Sequence, residues 1–228
     1  MADDETGDDH RSSGADTRPR ASSRRHARSN SSRRSFWREL PVLVVVAVVL
    51  ALLIRTFLIQ TFFIPSGSME NTLIPPDRVL VNKLAYDLHT VHRGDVVVFV
   101  SPTSWRSDPS EKDFIKRVIG TPGDEVSCCD AHGRMEVNGK PLREPYVYPG
   151  NAPSLITFDV KVPPGRLFVC GDHRDDSADS RRHLDYAGGT GTISENSLVG
   201  RAFAVMWPPR HWKLLGDPPT FNGVPPPT

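Results

Sequence analysis

The hydrophobic residues of this chain form one long run, followed by a series of short runs. Residues 40–59 read LPVLVVVAVVLALLIRTFLI, in which Arg55 is the single charge. At about 1.5 Å per residue this stretch spans roughly 30 Å, the thickness of a membrane's hydrocarbon core. The run lacks the periodic polar positions of a helix on a soluble domain, and it is longer than the apolar part of a cleaved signal peptide. We therefore expect one transmembrane helix over residues 39–60.

Basic residues directly before this run predict its orientation. Arg33, Arg34 and Arg38 precede it, and no second run of comparable length follows. By the positive-inside rule the N-terminus lies in the cytoplasm, and Arg55 can reach the outer headgroups through its long stem. The predicted location is therefore the cell membrane, single-pass, with residues 61–212 as an extracytoplasmic domain.

The first 35 or so residues contain almost no aliphatic side chains, with acidic residues first and arginines later. Such a segment buries too little apolar surface to offset its ordering entropy, so residues 1–38 are predicted to be a disordered cytoplasmic tail. An RNA-binding arm is the alternative, and the membrane span that follows disfavours it. The whole chain has 28 Lys and Arg against 27 Asp and Glu. This balance lacks the basic excess of nucleic-acid binders, so no nucleic-acid partner is expected.

Beyond the long run, short stretches rich in Val, Ile and Phe alternate with Gly, Pro, Asn and Asp. These stretches predict strands at Arg78–Asn82, 95–100, 114–119, 134–137, 157–162, Arg166–Cys170 and Leu198–Trp207. Asn138-Gly139 predicts a hairpin with a type I′ turn. No alternation of strands and helices is visible, so the fold class is mainly β rather than a doubly wound parallel sheet. The Pro-rich residues 213–228 predict a loose C-terminal tail.

The three cysteines, Cys128, Cys129 and Cys170, do not have the spacing of a zinc site. An oxidising outer compartment permits one disulfide and leaves one thiol over, and the sequence does not choose the pair. A bridge between the two adjacent cysteines would be strained. The Asp-rich residues 172–179 lack the spacing and final Glu of a calcium-binding EF-hand loop, and neighbouring arginines would repel a cation. No metal or other cofactor is expected.

The first candidate for a catalytic group is a serine in the small turn at residues 66–68, because such a turn can point a hydroxyl outward. A nucleophilic serine needs a base, and none of the histidines sits in a triad motif, which leaves a neutral lysine. Lys116 interrupts a strand-like run, where alternation places it on the apolar face with Phe114. Desolvation there would lower its pKa from about 10.4 to about 8 or 9. The alternative is an edge lysine that reaches water.

A third segment, residues 171–181, mixes Asp and Arg in a way that favours a loop stiffened by ion pairs. Such a loop can present Ser177 as a hydroxyl partner for a buried lysine.

Four segments together resemble a known family. PSGSM at residues 65–69, RGDVVVF at 93–99, FIKRVIG with PGD at 114–124, and residues 171–181 look like the ordered sequence boxes of type I signal peptidases. The resemblance covers about residues 40–210 and implies a mostly antiparallel, barrel-like β domain. It also implies a membrane-bound serine endopeptidase that cleaves signal peptides from exported preproteins after small residues, at A-x-A-like sites.

The resemblance implies roles for individual residues. Ser68 matches the nucleophile and Lys116 the general base, while the Ser66 hydroxyl and the Ser68 N–H match the oxyanion hole. The residues that match the supports of the base are Ser177, Asp179 and Arg181. The residues that match the substrate pockets are Phe62, Ile64, Pro65, Met69, Leu73, Phe114 and Ile115. The implied partners are signal peptides and membrane lipids, with the export machinery as a further candidate.

The chain departs from the family pattern at two places. Asn71 replaces a frequent proline, and His173 and Asp176 replace frequent asparagines, which bears on substrate preference.

Two other interpretations of the chain's function are weaker. A self-cleaving Ser-Lys regulator of related fold would carry a DNA-binding module, which the tail is not. An inactive membrane-anchored β domain would not need a nucleophile, a lysine and Ser177 together.

Overall fold

The computed structural model describes residues 31–227, and within its first helix it describes the side chains of residues 39–52 only. Most of the predicted disordered tail therefore lies outside the described residues. So do the side chains of the arginines that predict the orientation, Arg33, Arg34, Arg38 and Arg55. The chain divides into two compact units, the first ending at Val46 and the second beginning at Ala47.

Helix α1 runs from Ser31 to Phe57, and its apolar side chains between residues 40 and 52 are exposed. Among the residues with described side chains, no helix is both long and apolar enough to cross a membrane. The helix also ends earlier than the predicted span, because Ile59–Phe63 forms strand β1, which pairs with strand β2 at Arg78–Asn82. Its β-branched and aromatic side chains favour a strand, which moves the start of the β domain to residue 59.

Most of the regular elements in the second unit are short strands. Its remaining elements are α2 Ala85–Leu88, β3 Val96–Val100, β4 Asp113–Gly120, β5 Glu125–Cys128, β6 Met135–Val137, β7 Lys140–Pro141, β8 Phe158–Lys161, β9 Arg166–Cys170, β10 Ile193–Ser194, β11 Leu198–Trp207 and β12 Lys213–Leu214. All seven predicted strands are present, and the strand pairs in the described part of the chain are antiparallel. The mainly β, antiparallel fold class is therefore confirmed.

The strands form a large sheet of order β1-β2-β11-β3-β4-β9-β10, with β12 beside β11, and a small sheet of order β7-β6-β5-β8. The large sheet curves into a half-barrel. The small sheet contains the predicted hairpin, and Asn138 and Gly139 have φ of 51° and 72° at its turn. Positive φ at both central residues is what a type I′ turn requires, so the Asn-Gly signal predicted this turn correctly.

Strand β4 has one edge that is only partly paired. It pairs with β3 from Asp113 to Arg117, whereas β9 pairs with it only from Arg117 onward. Residues 113–116 therefore have no strand neighbour on the β9 side. Strand β1 lies at the end of the same sheet and pairs only with β2. Both β1 and the first half of β4 therefore have unpaired backbone on one side.

The C-terminal segment is bound to the domain rather than loose, contrary to the sequence prediction. Phe221 and Val224 pack against the core between the two sheets. Arg93 and Asn138 donate hydrogen bonds to the carbonyl oxygen of Pro225 at 3.2 and 2.9 Å. The prediction was based on the many prolines of this segment and did not consider that the apolar side chains of Phe221 and Val224 would be buried.

The disulfide joins the adjacent Cys128 and Cys129, the pair that the sequence argument disfavoured. The remaining thiol, Cys170, is buried at the end of β9, and burial is the main cause that raises its pKa to about 12. Cys128 and Cys170 belong to the same apolar cluster, so the free thiol is part of the packed core.

Candidate active site

The turn that carries the first candidate hydroxyl is held by buried side chains on both sides. Ser68 lies in a 3-10 turn at Gly67–Met69 and is itself buried. Ile64 before it and Met69 and Leu73 after it pack into one core cluster with β2, β3 and β11, and Met69 and Leu73 have no exposed surface. The N–H of Leu73 also donates to the Met69 carbonyl at 2.7 Å. The position of the Ser68 hydroxyl is therefore fixed by the core.

Lys116 lies on β4 and reaches this hydroxyl. Its side chain is 4% exposed, and its Nζ lies 2.7 Å from Ser68 Oγ, within hydrogen-bond distance. Burial lowers the pKa of Lys116 to about 8, although the nearby carboxylates of Asp179 and Asp172 oppose the shift. The buried, low-pKa lysine expected from strand alternation is therefore present, and the interpretation as an edge lysine is wrong.

The next residue on β4 points to the opposite face, as alternation requires. Arg117 forms a two-pronged ion pair with Asp172, with its Nε 2.9 Å from Oδ1 and its Nη2 2.6 Å from Oδ2. It also donates to the carbonyl of Gly94 at 2.8 Å and stacks over Tyr146 at 4.2 Å. Because Asp172 begins the Asp- and Arg-rich loop, this pair ties that loop to the strand that carries Lys116.

The loop at residues 171–182 is stiffened by ion pairs, as its composition predicted. Arg181 holds Asp179 through bonds of 3.0 and 2.7 Å, and Asp179 also accepts the Gly171 N–H at 2.9 Å. Burial would raise the pKa of Asp179, but the Arg181 guanidinium and these hydrogen bonds hold that pKa below its usual value. A second buried pair joins Arg174 to Glu144 at 2.6 Å.

Gly171 brings this loop into direct contact with the 3-10 turn that carries Ser68. A Cβ at this position would overlap the Ser177 side chain and the Ser68 carbonyl oxygen, so no larger residue fits without a shift. The N–H of His173 donates to the same Ser68 carbonyl at 3.1 Å. Ser68, Lys116 and Ser177 are therefore brought together by β4, the 3-10 turn and this loop.

The two supporting hydroxyls differ in their contacts. Ser66 Oγ lies 3.4 Å from Ser68 Oγ and is exposed at the cleft. Ser177 is 1% exposed, and its hydroxyl lies beside Asp179, where it helps to lower the pKa of that carboxyl. The expected hydrogen bond between Ser177 and Lys116 is not formed in this structure.

Beside these residues lies a cleft of about 530 Å³ that is lined by both apolar and polar side chains. Of the residues matched to substrate pockets, those that line it are Phe62, Ile64, Pro65, Phe114 and Ile115. Met69 and Leu73 do not line it, because both are packed behind the turn in the core. Ser66, Ser68, Lys116 and Ser177 line the same cleft.

Sequence reasoning missed contacts made by the atypical residues near the nucleophile. The ring of His173 stacks on Tyr148 at 4.1 Å, and its Nδ1 lies 3.7 Å from a carboxylate oxygen of Glu70. Thr72 donates a hydrogen bond to Asp172. His173 was visible as a departure from the family pattern, but its partners lie about 25 and 100 positions away along the chain, out of reach of any local pattern.

Comparisons with known proteins agree with this geometry. The family described as "Signal peptidase, peptidase S26" matches residues 37–207. "Signal peptidase I" of Mycobacterium tuberculosis is 37% identical over 227 residues, which cover 81% of this chain and 77% of that protein. "Probable signal peptidase I-2" of Synechocystis sp. is 40% identical over 181 residues, covering 79% and 78%. "Signal peptidase I" of Bacillus amyloliquefaciens is 36% identical over 173 residues, covering 72% and 82%.

An antiparallel half-barrel that places a serine and a buried lysine in one cleft, together with these matches, defines the class of protein as a serine peptidase, a hydrolase. Within that class, the chain belongs to the S26 signal peptidase family, and its relatives are the bacterial type I enzymes.

Proposed function

We propose that this protein removes signal peptides from exported preproteins, with Ser68 as nucleophile and Lys116 as general base. The observation that carries the proposal is the 2.7 Å contact between Lys116 Nζ and Ser68 Oγ in a cleft lined in part by apolar side chains. A lysine is an effective base only when neutral, and a pKa of about 8 makes a substantial neutral fraction available at mildly alkaline pH. The names of the relatives supply the substrate class.

In the proposed reaction, the neutral Lys116 amine accepts the proton of the Ser68 hydroxyl as Oγ attacks the scissile carbonyl carbon. The ammonium then gives this proton to the leaving amine, which departs as the N-terminus of the mature protein. A water molecule, deprotonated by the same amine, hydrolyses the resulting ester and restores Ser68. Asp179 and Arg181 hold the loop beside Lys116, so they act as positioning residues.

The tetrahedral intermediate carries a negative oxygen that needs hydrogen-bond donors. Ser68 is the second residue of its 3-10 turn, and the first N–H groups of a helical turn lack intrahelical partners. The Ser66 hydroxyl lies beside it, so we assign these two groups to the oxyanion hole.

Substrate binding as an added strand fits the unpaired backbone described above. The free edge of β4 at residues 113–116 and the chain at residues 62–65 both line the cleft. An extended peptide between them would gain main-chain hydrogen bonds, and its alternate side chains would contact the apolar residues that line the cleft. The limited cleft volume and the surrounding Phe62, Ile64, Phe114 and Ile115 favour small side chains before the cut.

We further propose that the enzyme is anchored in the cell membrane by the part of helix α1 from residue 39 to residue 57, with its catalytic domain outside the cytoplasm. The exposed apolar side chains of α1 support this placement, because lipid would cover them. On the β domain, Phe63 and Trp207 flank Arg78 across neighbouring strands, and Trp212 is 69% exposed. Exposed aromatic rings are favoured at the lipid headgroups, which would hold the cleft near the bilayer surface.

The topology is tested with protease added outside spheroplasts. We expect degradation of the domain beyond residue 60 and survival of a small N-terminal fragment, because the arginines before the span keep the N-terminus inside. A cytoplasmic protein serves as the integrity control. Protection of the large domain with loss of the tail would invert the proposed orientation.

The function itself is tested by mixing the purified full chain with a preprotein. We expect one shortened product whose N-terminus follows an A-x-A-like site, because Phe62, Ile64, Phe114 and Ile115 surround the cleft beside Ser68 and favour small side chains before the cut. A self-cleaving regulator would instead shorten its own chain, and a binding domain without catalysis would leave both proteins intact. Either result would contradict the proposal.

A further inference from the structure

Thr72 lies four residues after Ser68, and its hydroxyl joins the buried ion pair between Arg117 and Asp172. The Thr72 hydroxyl donates a hydrogen bond to the Asp172 carboxylate and accepts one from Arg117 Nη2 at 3.2 Å. A hydroxyl can both donate and accept, and here it does both. Each of the three side chains therefore contacts the other two.

These three side chains come from the three segments that build the candidate site. Thr72 belongs to the segment that carries Ser68. Arg117 directly follows the proposed base on β4, and Asp172 begins the loop at residues 171–182. The cluster therefore connects the segment of the nucleophile, the strand of the base and the loop that supports the base.

The other contacts of the Ser68 segment are of a different kind. Met69 and Leu73 pack against apolar side chains of β2, β3 and β11, and such contacts have no preferred direction. The N–H of His173 donates to the Ser68 carbonyl at 3.1 Å, which links the segment to the loop but not to β4. Outside the proposed dyad, the Thr72 hydroxyl thus gives the segment directional contacts to both the loop and the strand.

The reacting geometry is sensitive to a small shift of this segment. Lys116 Nζ lies 2.7 Å from Ser68 Oγ, and proton transfer between them requires hydrogen-bond distance. A misplacement of about 1 Å can reduce a reaction rate by about 10²-fold. Because the Thr72 hydroxyl is bonded to the residue that follows Lys116, it opposes movement of the segment along β4.

We propose that the Thr72 hydroxyl is a positioning group for catalysis, which acts through Arg117 and Asp172. It sets the distance between Ser68 Oγ and Lys116 Nζ. This inference rests on the proposed function, because it assumes that these two atoms carry out the cleavage. Removal of the hydroxyl leaves the bonds of 2.9 and 2.6 Å between Arg117 and Asp172, so neither buried charge loses its partner. The expected effect is therefore on the reaction rate rather than on folding.

The test compares Thr72→Val, which removes the hydroxyl but keeps the branched shape, with Thr72→Ser, which keeps the hydroxyl. Cleavage of a quenched peptide with one A-x-A site is measured with the full chain in detergent. For Thr72→Val we expect kcat to fall about ten-fold or more and KM to stay within about two-fold, since Thr72 does not line the cleft. Thr72→Ser should keep kcat within about three-fold of the wild type.

Thr121→Val is the matched control, because Thr121 makes the same kind of cluster elsewhere. Its hydroxyl donates to Asp124 at 2.9 Å, and Asp124 is held by Arg93. None of these three residues lines the cleft. The same substitution at Thr121 should therefore leave kcat and KM unchanged, with circular dichroism as the check on folding of each variant.

Thr72→Ala and Thr72→Ser form a second pair, which differs by the hydroxyl alone and adds no bulk. This pair keeps the test decisive if Thr72→Val does not fold. Wild-type kcat in Thr72→Val or Thr72→Ala would overturn the inference, as would a loss in Thr72→Ser equal to that in Thr72→Ala. A higher KM at unchanged kcat would also contradict it. Cleavage by the wild type that is lost in Ser68→Ala would support the proposed function in each of these cases.

Discussion

Replacing Ser68 or Lys116 by alanine is expected to reduce preprotein cleavage by about 10⁴-fold or more while the domain stays folded. Neither side chain alone completes the reaction, because the hydroxyl needs a base and the base needs a hydroxyl to deprotonate. The double variant should therefore be hardly slower than either single variant. Lys116→Arg should be equally inactive, since a guanidinium stays protonated at any working pH and cannot accept the Ser68 proton.

Single-turnover cleavage of a preprotein measures these variants, with circular dichroism as the check on folding. Lys112→Ala is a matched control, because Lys112 lines the same cleft but is exposed. The wild-type rate should also rise through about pH 8, where the Lys116 amine loses its proton. Robust turnover by Lys116→Arg would remove lysine as the base. A rate that rose through pH 6 to 7 and vanished in His173→Ala would favour histidine instead.

The strand framework and the burial of Lys116 were predictable because both follow from local alternation. The runs at Arg78–Asn82, Arg166–Cys170 and Leu198–Trp207 have the same bounds in the structure as in the sequence prediction. Lys116 sits in a run whose neighbours on the same face are apolar, so period-two geometry alone placed it inside. The pairing order of the strands was not predictable, because it depends on contacts between distant segments.

The boundary between helix and sheet was harder to predict, because the same apolar residues suit both. Residues 58–63 continue the hydrophobic run, yet the pairing of Ile59–Phe63 with β2 makes them a strand. The bound C-terminal segment was missed for a related reason. Its Phe221 and Val224 have no periodic pattern, and their partners lie in a core that only the folded chain creates.

Within the candidate site, the sequence predicted which residues come together but not the contacts that they make. The expected bond between Ser177 and Lys116 is absent, whereas the Asp179–Arg181 pair is present. Met69 was matched to a substrate pocket, and in the structure it packs into the core beside the 3-10 turn that carries Ser68. Whether two side chains form a hydrogen bond depends on tenths of an ångström, and whether a residue faces the core or the cleft depends on the orientation of a short turn. Neither can be read from the identity of the residues.

Burial of Lys116 also predicts a trade-off between activity and stability. At pH 7 the Lys116→Met variant should resist unfolding better than the wild type by about 3 kcal/mol, since the pKa falls from 10.5 to about 8 on folding. Below pH 8 the side chain is protonated in both states, so the folded wild type bears the full cost of a buried charge. As pH rises from about 8 to 10.5, the unfolded chain holds more protons than the folded one, wild-type stability rises, and the advantage of the variant disappears.

Urea unfolding of the detergent-solubilised full chain, followed by tryptophan fluorescence at several pH values, measures this difference. Methionine keeps an unbranched side chain of similar length, and the Arg181–Asp179 and Arg117–Asp172 pairs remain to satisfy the neighbouring carboxylates. Lys112→Met is the control, because an exposed ammonium has little desolvation to recover. If the Lys116→Met variant were no more stable than the wild type at pH 7, Lys116 would not be held at a destabilising cost. Burial would then not explain why the Lys116 amine is neutral, as its assignment as the general base requires.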